Sequence, residues 1–280
     1  CDKTIAAAID SILCQTYPNL EVIVVDDRST DQTRKIIEEI SKKDSRVRVF
    51  DGQDDPNRLD MKLGRNINAG YSARNTGFKQ IRGELITFQD ADDASLLNRI
   101  EVQYDLLVAH KASHVTLDWF RFDEHFLGKK FNVEAYKKDC AERGDSTQPS
   151  QVGPGELYQL SQRTKGLVAK IFPTLNTLVP FHIKRLRGIH KLFFGSLDSY
   201  PGTGNSPLFR REVIEKVQFR KLAERVWPTF MGRGADRDFN FQVAETFKNS
   251  FVFYLPLYMW RQTKQNENYA NLNIDKYTIN

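Results

Sequence analysis

The chain has 280 residues, 40% of them hydrophobic, and a formal charge of +5. That apolar share can build the core of one large domain or two small ones, which excludes global disorder. No apolar run approaches the roughly 18 residues that cross a bilayer, and the small positive surplus suits an anionic ligand, an acidic membrane surface or an ordinary lysine-rich exterior.

Ile5, Ala8, Ile9, Ile12 and Leu13 follow helical spacing, with Asp2 or Thr4 as the cap. Tyr17-Pro18-Asn19 is a turn. Residues 20–25 are apolar and β-branched, the pattern of a strand covered on both faces. Thr30-Asp31 caps a second helix whose buried stripe is Ile36, Ile37 and Ile40. A short strand at 47–50 and a polar loop at 51–66 follow. Residues 69–81 predict a helix, 84–89 a buried strand, 98–109 a helix and 115–122 a strand. This alternation predicts an α/β fold with a mostly parallel sheet and crossover helices.

Residues 1–122 therefore read as a nucleotide-binding half and 123–280 as a second half. Residues 123–205 show scattered Gly, Pro and charge without a repeat. A short helix is expected near 211–217. A longer one at 235–247 puts Phe239, Val243 and Phe247 on one face. A strand at 251–255 and a polar tail from Gln262 complete the chain.

Cys1, Cys14 and Cys140 lie far apart, with neither disulfide nor metal-ligand spacing, so a reducing, cytoplasmic setting is expected. The histidines form no spaced ligand set. Cys1-Asp2-Lys3 opens straight into the helix pattern without a signal peptide, and the missing Met reads as a fragment start.

Two acidic clusters sit where apolar strands run out. The first is Asp26-Asp27-Arg28-Ser29-Thr30-Asp31. Asp after a strand often caps a turn, but two in succession leave one carboxylate to accept from a base N–H or a ribose hydroxyl. The second is Asp90-Ala91-Asp92-Asp93. Alternate carboxylates on an extended chain point to one side, and hard divalent cations share such oxygens with phosphates. Ligands of open α/β sheets bind at these strand ends. Between the clusters, Ala73-Arg74-Asn75-Thr76-Gly77 places an Arg in the first turns of a helix. Arg74 can pair with Asp27 or Asp90, or reach a base or phosphate.

Taken in order, the blocks from Thr4-Ile5 through Gln15-Thr16-Tyr17-Pro18-Asn19, Val25-Asp26-Asp27, Ala73-Arg74-Asn75 and Gln89-Asp90-Ala91-Asp92-Asp93 resemble the family 2 glycosyltransferases. The resemblance implies a GT-A-like open sheet and an inverting, metal-dependent hexosyl transfer. The donor it implies is a UDP-sugar, and the acceptor a glycan or lipid-linked hydroxyl in polysaccharide or glycoconjugate synthesis. By it, Asp26 and Asp27 meet the uracil and ribose, Arg74 and Asp90 hold the nucleotide, and Asp92 and Asp93 bind Mn²⁺ or Mg²⁺ on the diphosphate. The family usually opens with a strand before the first helix, which is absent here, so residues upstream of Cys1 are expected. A Glu-Asp pair before a late helix supplies its catalytic base. Here Ala235 replaces the Glu, Asp236 remains as the expected base, and Asp238 is the alternative. Arg261 stands where the family often has a diphosphate-contacting cation, or is a surface Arg beside a packed Trp260.

Residues 181–194 interleave basic and apolar side chains at roughly helical spacing. That pattern fits either an interfacial helix making peripheral contact with an anionic membrane or a helix packed within the domain. No nucleic-acid partner is expected. Two competing functions stay open: a sugar nucleotidyltransferase, and a catalytically silent nucleotide- or glycan-binding module.

Overall fold

The computed structural model of the chain describes residues 1–53, 59–60, 65–66, 70–142, 151–230, 232, 234–263 and 274–280. The first part runs α1 (Ile5–Leu13), β1 (Val22–Asp26), α2 (Thr33–Lys43), β2 (Val47–Asp51), β3 (Leu59–Asp60), β4 (Arg65–Asn66), α3 (Tyr71–Phe78), β5 (Leu85–Thr87), β6 (Ala94–Ser95), α4 (Arg99–Ala109) and β7 (His114–Phe122). The second continues with β8 (Lys130–Phe131), α5 (Val133–Glu142), β9 (Gln151–Val152), α6 (Pro154–Thr164), α7 (Leu167–Ile171), α8 (Pro173–Leu178), α9 (Phe181–Lys184) and α10 (His190–Phe193). It closes with β10 (Leu208–Arg210), α11 (Val213–Lys216), α12 (Ala235–Phe247), β11 (Ser250–Arg261) and β12 (Thr278–Ile279).

The main sheet has the order β5-β10-β7-β11-β6, with β9 also on β11. The long strands β7 and β11 pair in parallel. β10 is antiparallel to both β5 and β7, so β5 runs in the same direction as β7. A second parallel pair, β1 and β2, is in register from Val22↔Val47 to Asp26↔Asp51. The fold is therefore α/β with flanking helices, its long strands β7 and β11 and the pair β1–β2 parallel and its short strands β6, β9 and β10 antiparallel to their neighbours. β10, from the second half, lies between two strands of the first, so the halves share one sheet.

Three local expectations change. β1 is half-buried along its whole length rather than fully covered. α1 and α2 pack on the Val22 and Val24 face, and Gly77 of α3 lies against Val25 and Ile23. Only β2 pairs with β1, and among the described residues the other edge of β1 carries no strand. Residues 151–194 hold five helices, where the sequence shows helical spacing over 181–194 alone. Four of them have only four to six residues, too few to display a 3.6-residue repeat, and Pro154 and Pro173 sit at helix starts where a missing N–H costs nothing. β11 is 12 residues long, not five, and runs through Pro256 by shifting register there. Most of the expected 51–66 loop and of the polar tail falls outside the described residues.

An aromatic cluster links the two acidic regions. Phe78 of α3, Phe88 after β5, Phe209 of β10, Phe219 and Phe239 of α12 pack ring to ring, with Phe219 and Phe239 stacked at 4.4 Å. Such buried rings carry large apolar area and hold their backbones in fixed relation. This cluster brings the start of α12 to the carboxyl end of β5.

Candidate functional site

The loop after β5 is held from below. Arg99, fully buried at the start of α4, donates to Ser95 Oγ at 2.7 Å and to Thr87 Oγ1 and Gln103 Oε1 at 2.9 Å. Ser95 in turn donates to Gln89 Oε1 at 2.7 Å. Both ends of the Asp90–Asp93 loop are thus tied to one buried cation.

Asp90 leaves this frame half-buried and accepts from Arg74 Nη2 at 2.6 Å. The Arg74 guanidinium lies against two neighbouring rings, 5.3 Å from Phe88 and 5.2 Å from Phe219, which are themselves 5.4 Å apart. Flanking rings fix the plane of a guanidinium and add cation–π attraction. Of the partners open to Arg74 in the sequence, the structure pairs it with Asp90. The Asp90 carboxyl is nevertheless pushed above the usual carboxylate range. Burial is the largest cause, and the charges of Asp92 and Asp236 add to it while Arg74 opposes it. Those two influences place Asp92 and Asp236 in the same electrostatic neighbourhood as Asp90, although 144 positions separate Asp92 from Asp236 in the chain.

The four carboxylates expected at the site divide by orientation. Asp92 is exposed. Asp93 is 2% exposed and accepts from the Tyr258 O–H at 2.7 Å and the Arg261 N–H at 2.9 Å, both reached from β11. Burial raises its carboxyl to about 7, against those two donors. Both of its oxygens are therefore engaged by the protein, unlike the expectation of a metal ligand. Asp236 is half-buried, and no donor among the described residues engages its carboxylate. It leans over Gly204, where a Cβ would fall 2.6 Å from Asp236 Oδ2. Asn240 holds the turn, donating to Gly204 O at 3.0 Å and Asp236 O at 2.9 Å. Asp238, the alternative base, is 1% exposed and fully committed. It takes a two-point contact from Arg220 at 2.9 and 3.0 Å and also accepts from the Val226 and Trp227 N–H groups. It braces the start of α12 and has no lone pair left for a substrate proton.

Asp26 and Asp27 sit at the end of β1. Asp26 accepts from the Ser29 N–H at 3.1 Å and lies 3.8 Å from Arg34. Asp27 is half-buried against Gly52, whose N–H donates to Asp26 O at 2.8 Å. Arg261 reaches back over the acidic loop, donating from Nε to Asp92 O at 2.7 Å while its side chain pairs with Glu124 and lies over Phe122. Sequence reasoning missed Phe88 and Phe219 around Arg74, Tyr258 behind Asp93, Arg220 behind Asp238, and Gly204. A helical wheel would have separated Asp236 from Asp238, since two residues turn a helix by about 200°.

Residues 1–158, more than half of the chain, match the family described as Glycosyl transferase family 2. Among curated relatives, the chain is 34% identical over 112 residues to UDP-Glc:alpha-D-GlcNAc-diphosphoundecaprenol beta-1,3-glucosyltransferase WfgD of Escherichia coli, covering 40% of this chain and 39% of that protein. It is 32% identical over 136 residues to a GalNAc(5)-diNAcBac-PP-undecaprenol beta-1,3-glucosyltransferase of Campylobacter jejuni, covering 47% and 39%. The chain spans less than half the length of these relatives. The crystal structure of S. aureus TarS 1-349 with UDP-GlcNAc superposes with a TM-score of 0.51 at 16% identity, covering 96% of this chain and 58% of that one, a likeness of fold. With its α/β sheet and the acidic blocks in family order, the chain belongs to glycosyl transferase family 2.

Proposed function

We propose that this protein is an inverting glycosyltransferase that moves a sugar from a UDP-sugar to a hydroxyl of a glycan or lipid-linked acceptor. One observation carries this reading. Asp236, whose carboxylate no described donor engages, acts with Asp92 on the charge of Asp90, the carboxylate that Arg74 holds at 2.6 Å. The relatives support the substrate classes: WfgD is named for UDP-Glc, and both are named for undecaprenol-linked acceptors.

The residues divide the work. Asp27 and Asp26 accept from the nucleoside. Arg74, oriented by two rings and Asp90, positions the nucleotide and offsets its negative charge. Asp236 takes the proton of the acceptor hydroxyl as that oxygen attacks the anomeric carbon. A single displacement of this kind inverts the configuration.

Mn²⁺ or Mg²⁺ fits the donor set in one way. No group of three or more His, Cys, Asp or Glu among the described residues forms a protein cage for an ion. Mg²⁺-like ions need no such cage, since they use one or two carboxylates, waters and substrate phosphates. Asp92, exposed beside the desolvated Asp90, is the residue that would hold it, and the bound ion would neutralise charge on the diphosphate leaving group.

The test is UDP release from a panel of UDP-sugars with manganese, with and without acceptor. Release that depends on an acceptor and yields a glycosylated product is expected. Release without product leaves only hydrolysis, and binding without release leaves a silent module. Either result overturns the proposal.

A further inference from the structure

Nine of the twelve large hydrophobic side chains that stand exposed among the described residues fall between Leu167 and Leu197. Leu178 is 73% exposed, Phe172 58% and Ile171 56%. Scattered exposed apolar residues are ordinary, but a cluster marks an interaction surface. The segment is folded. α7 packs against α8 and α10, and Phe181, Phe193 and Phe194 form a small buried core beneath them. The outward side chains are therefore displayed by a fixed scaffold.

Charge identifies the occupant. From residue 157 to 197 the sequence holds seven Lys or Arg and no Asp or Glu. Lys170, Arg187 and Lys191 are exposed, and no ion pair engages them among the described residues. A second copy of the chain, docked face to face, would set cations against cations. An anionic surface with an apolar interior meets both features, since basic side chains pair with lipid headgroups while Phe and Leu enter the acyl boundary.

We propose that α7, α8 and the exposed side chains of Ile183 in α9, Leu186 in the turn after it and Leu192 in α10 dock on an anionic lipid bilayer. The surface differs from the single interfacial helix expected over 181–194. Gly188 takes a left-handed φ of +96° and splits that stretch into α9 and α10, and the three most exposed apolar residues lie earlier, in α7, in α8 and at Phe172 between them. No helix among the described residues is long and apolar enough to cross a membrane, so the contact is peripheral. The scaffold under these side chains touches the segment that leads into α12. Arg185 lies over the rings of Phe181 and Phe230, and the Phe181 ring packs against Gly232, two residues before the Gly234 turn into α12. The proposal deepens the glycosyltransferase reading, on which only the delivery of a lipid-linked acceptor to Asp236 rests.

The experiment sediments the full chain with vesicles of pure phosphatidylcholine and of phosphatidylcholine mixed with phosphatidylglycerol, with no sugar nucleotide present. The chain is expected on the anionic vesicles alone, with partition falling as salt rises. Phe172→Glu combined with Leu178→Glu should lower that partition by more than about tenfold, with the circular dichroism spectrum and thermal midpoint unchanged. UDP binding by the double variant should match the parent, which separates a failed docking face from a failed donor site. The proposal is overturned if the parent stays unbound, if the folded double variant binds as the parent does, or if the same substitutions instead abolish a concentration-dependent dimer.

Discussion

The loop after β5 and the first turn of α12 solve one problem in two ways. Each presents a carboxylate outward and turns another inward. In α12 the inward residue, Asp238, receives a two-point contact from Arg220 and two backbone N–H groups, so its charge is balanced on the spot. In the β5 loop the inward residue, Asp93, meets only the neutral donors Tyr258 and the Arg261 N–H, and its carboxyl rises to about 7. Neutral donors offset the cost of burying a carboxylate less than a cation does, so Asp93 holds its proton more readily than an ordinary carboxyl. The pair also shows that adjacency to a motif is no guide to role. The inward members are tied to the protein, and the outward members, Asp92 and Asp236, have carboxylates that no donor among the described residues engages.

The largest expected effect breaks the outward member of the α12 turn. Asp236→Asn should lower transfer by roughly a thousandfold, the scale of losing a general base, while UDP binding by calorimetry stays at the parent level. Retained transfer in that variant rejects Asp236 as the base. Breaking the inward member should act on stability instead. Asp238→Asn leaves Arg220 without its charged partner and should cost about 3 kcal/mol in urea denaturation. An unchanged midpoint would remove Asp238 from its bracing role.

A third test examines what holds α12 against the sheet. His114 of β7 bonds Asn240 at 2.8 Å, and burial depresses its pKa to about 4. Its folded pKa lies below the unfolded value near 6.5, so the neutral ring contributes stability above pH 6.5 that is lost as pH falls toward about 4. The stability difference between parent and His114→Gln should therefore shift by on the order of 2 to 3 kcal/mol across that window. A pH-independent difference would mean that His114 titrates normally. The smallest effect sharpens the opening contrast. Asp93→Asn keeps one acceptor and one donor for Arg261 and Tyr258, so it should cost less than about 1 kcal/mol at neutral pH. A loss as large as that of Asp238→Asn would erase the distinction.

Much of this was legible from residue order. The acidic blocks, the Arg of the Ala73-Arg74-Asn75 stretch and the helix at 235–247 could be read because strands and long helices leave periods of two and 3.6 in the sequence. The helices of 154–178 could not, and 181–194 was legible as one helix where the fold makes two. They are mostly shorter than the window in which a period shows, and tertiary packing around Phe181, Phe193 and Phe194 stabilises them.

By itself the sequence determined the α/β alternation, the family and the two places where carboxylates gather. These depend on local patterning and on motif order along the chain. Only the tertiary structure decided which carboxylate of each group is engaged by the protein, that Arg74 lies against Phe88 and Phe219, and that the basic segment folds into short helices with many exposed apolar side chains instead of one helix. The reason is physical. Orientation is set by donors that lie far away in sequence, such as Tyr258 for Asp93, 165 positions apart, and only the folded core brings them within hydrogen-bond reach.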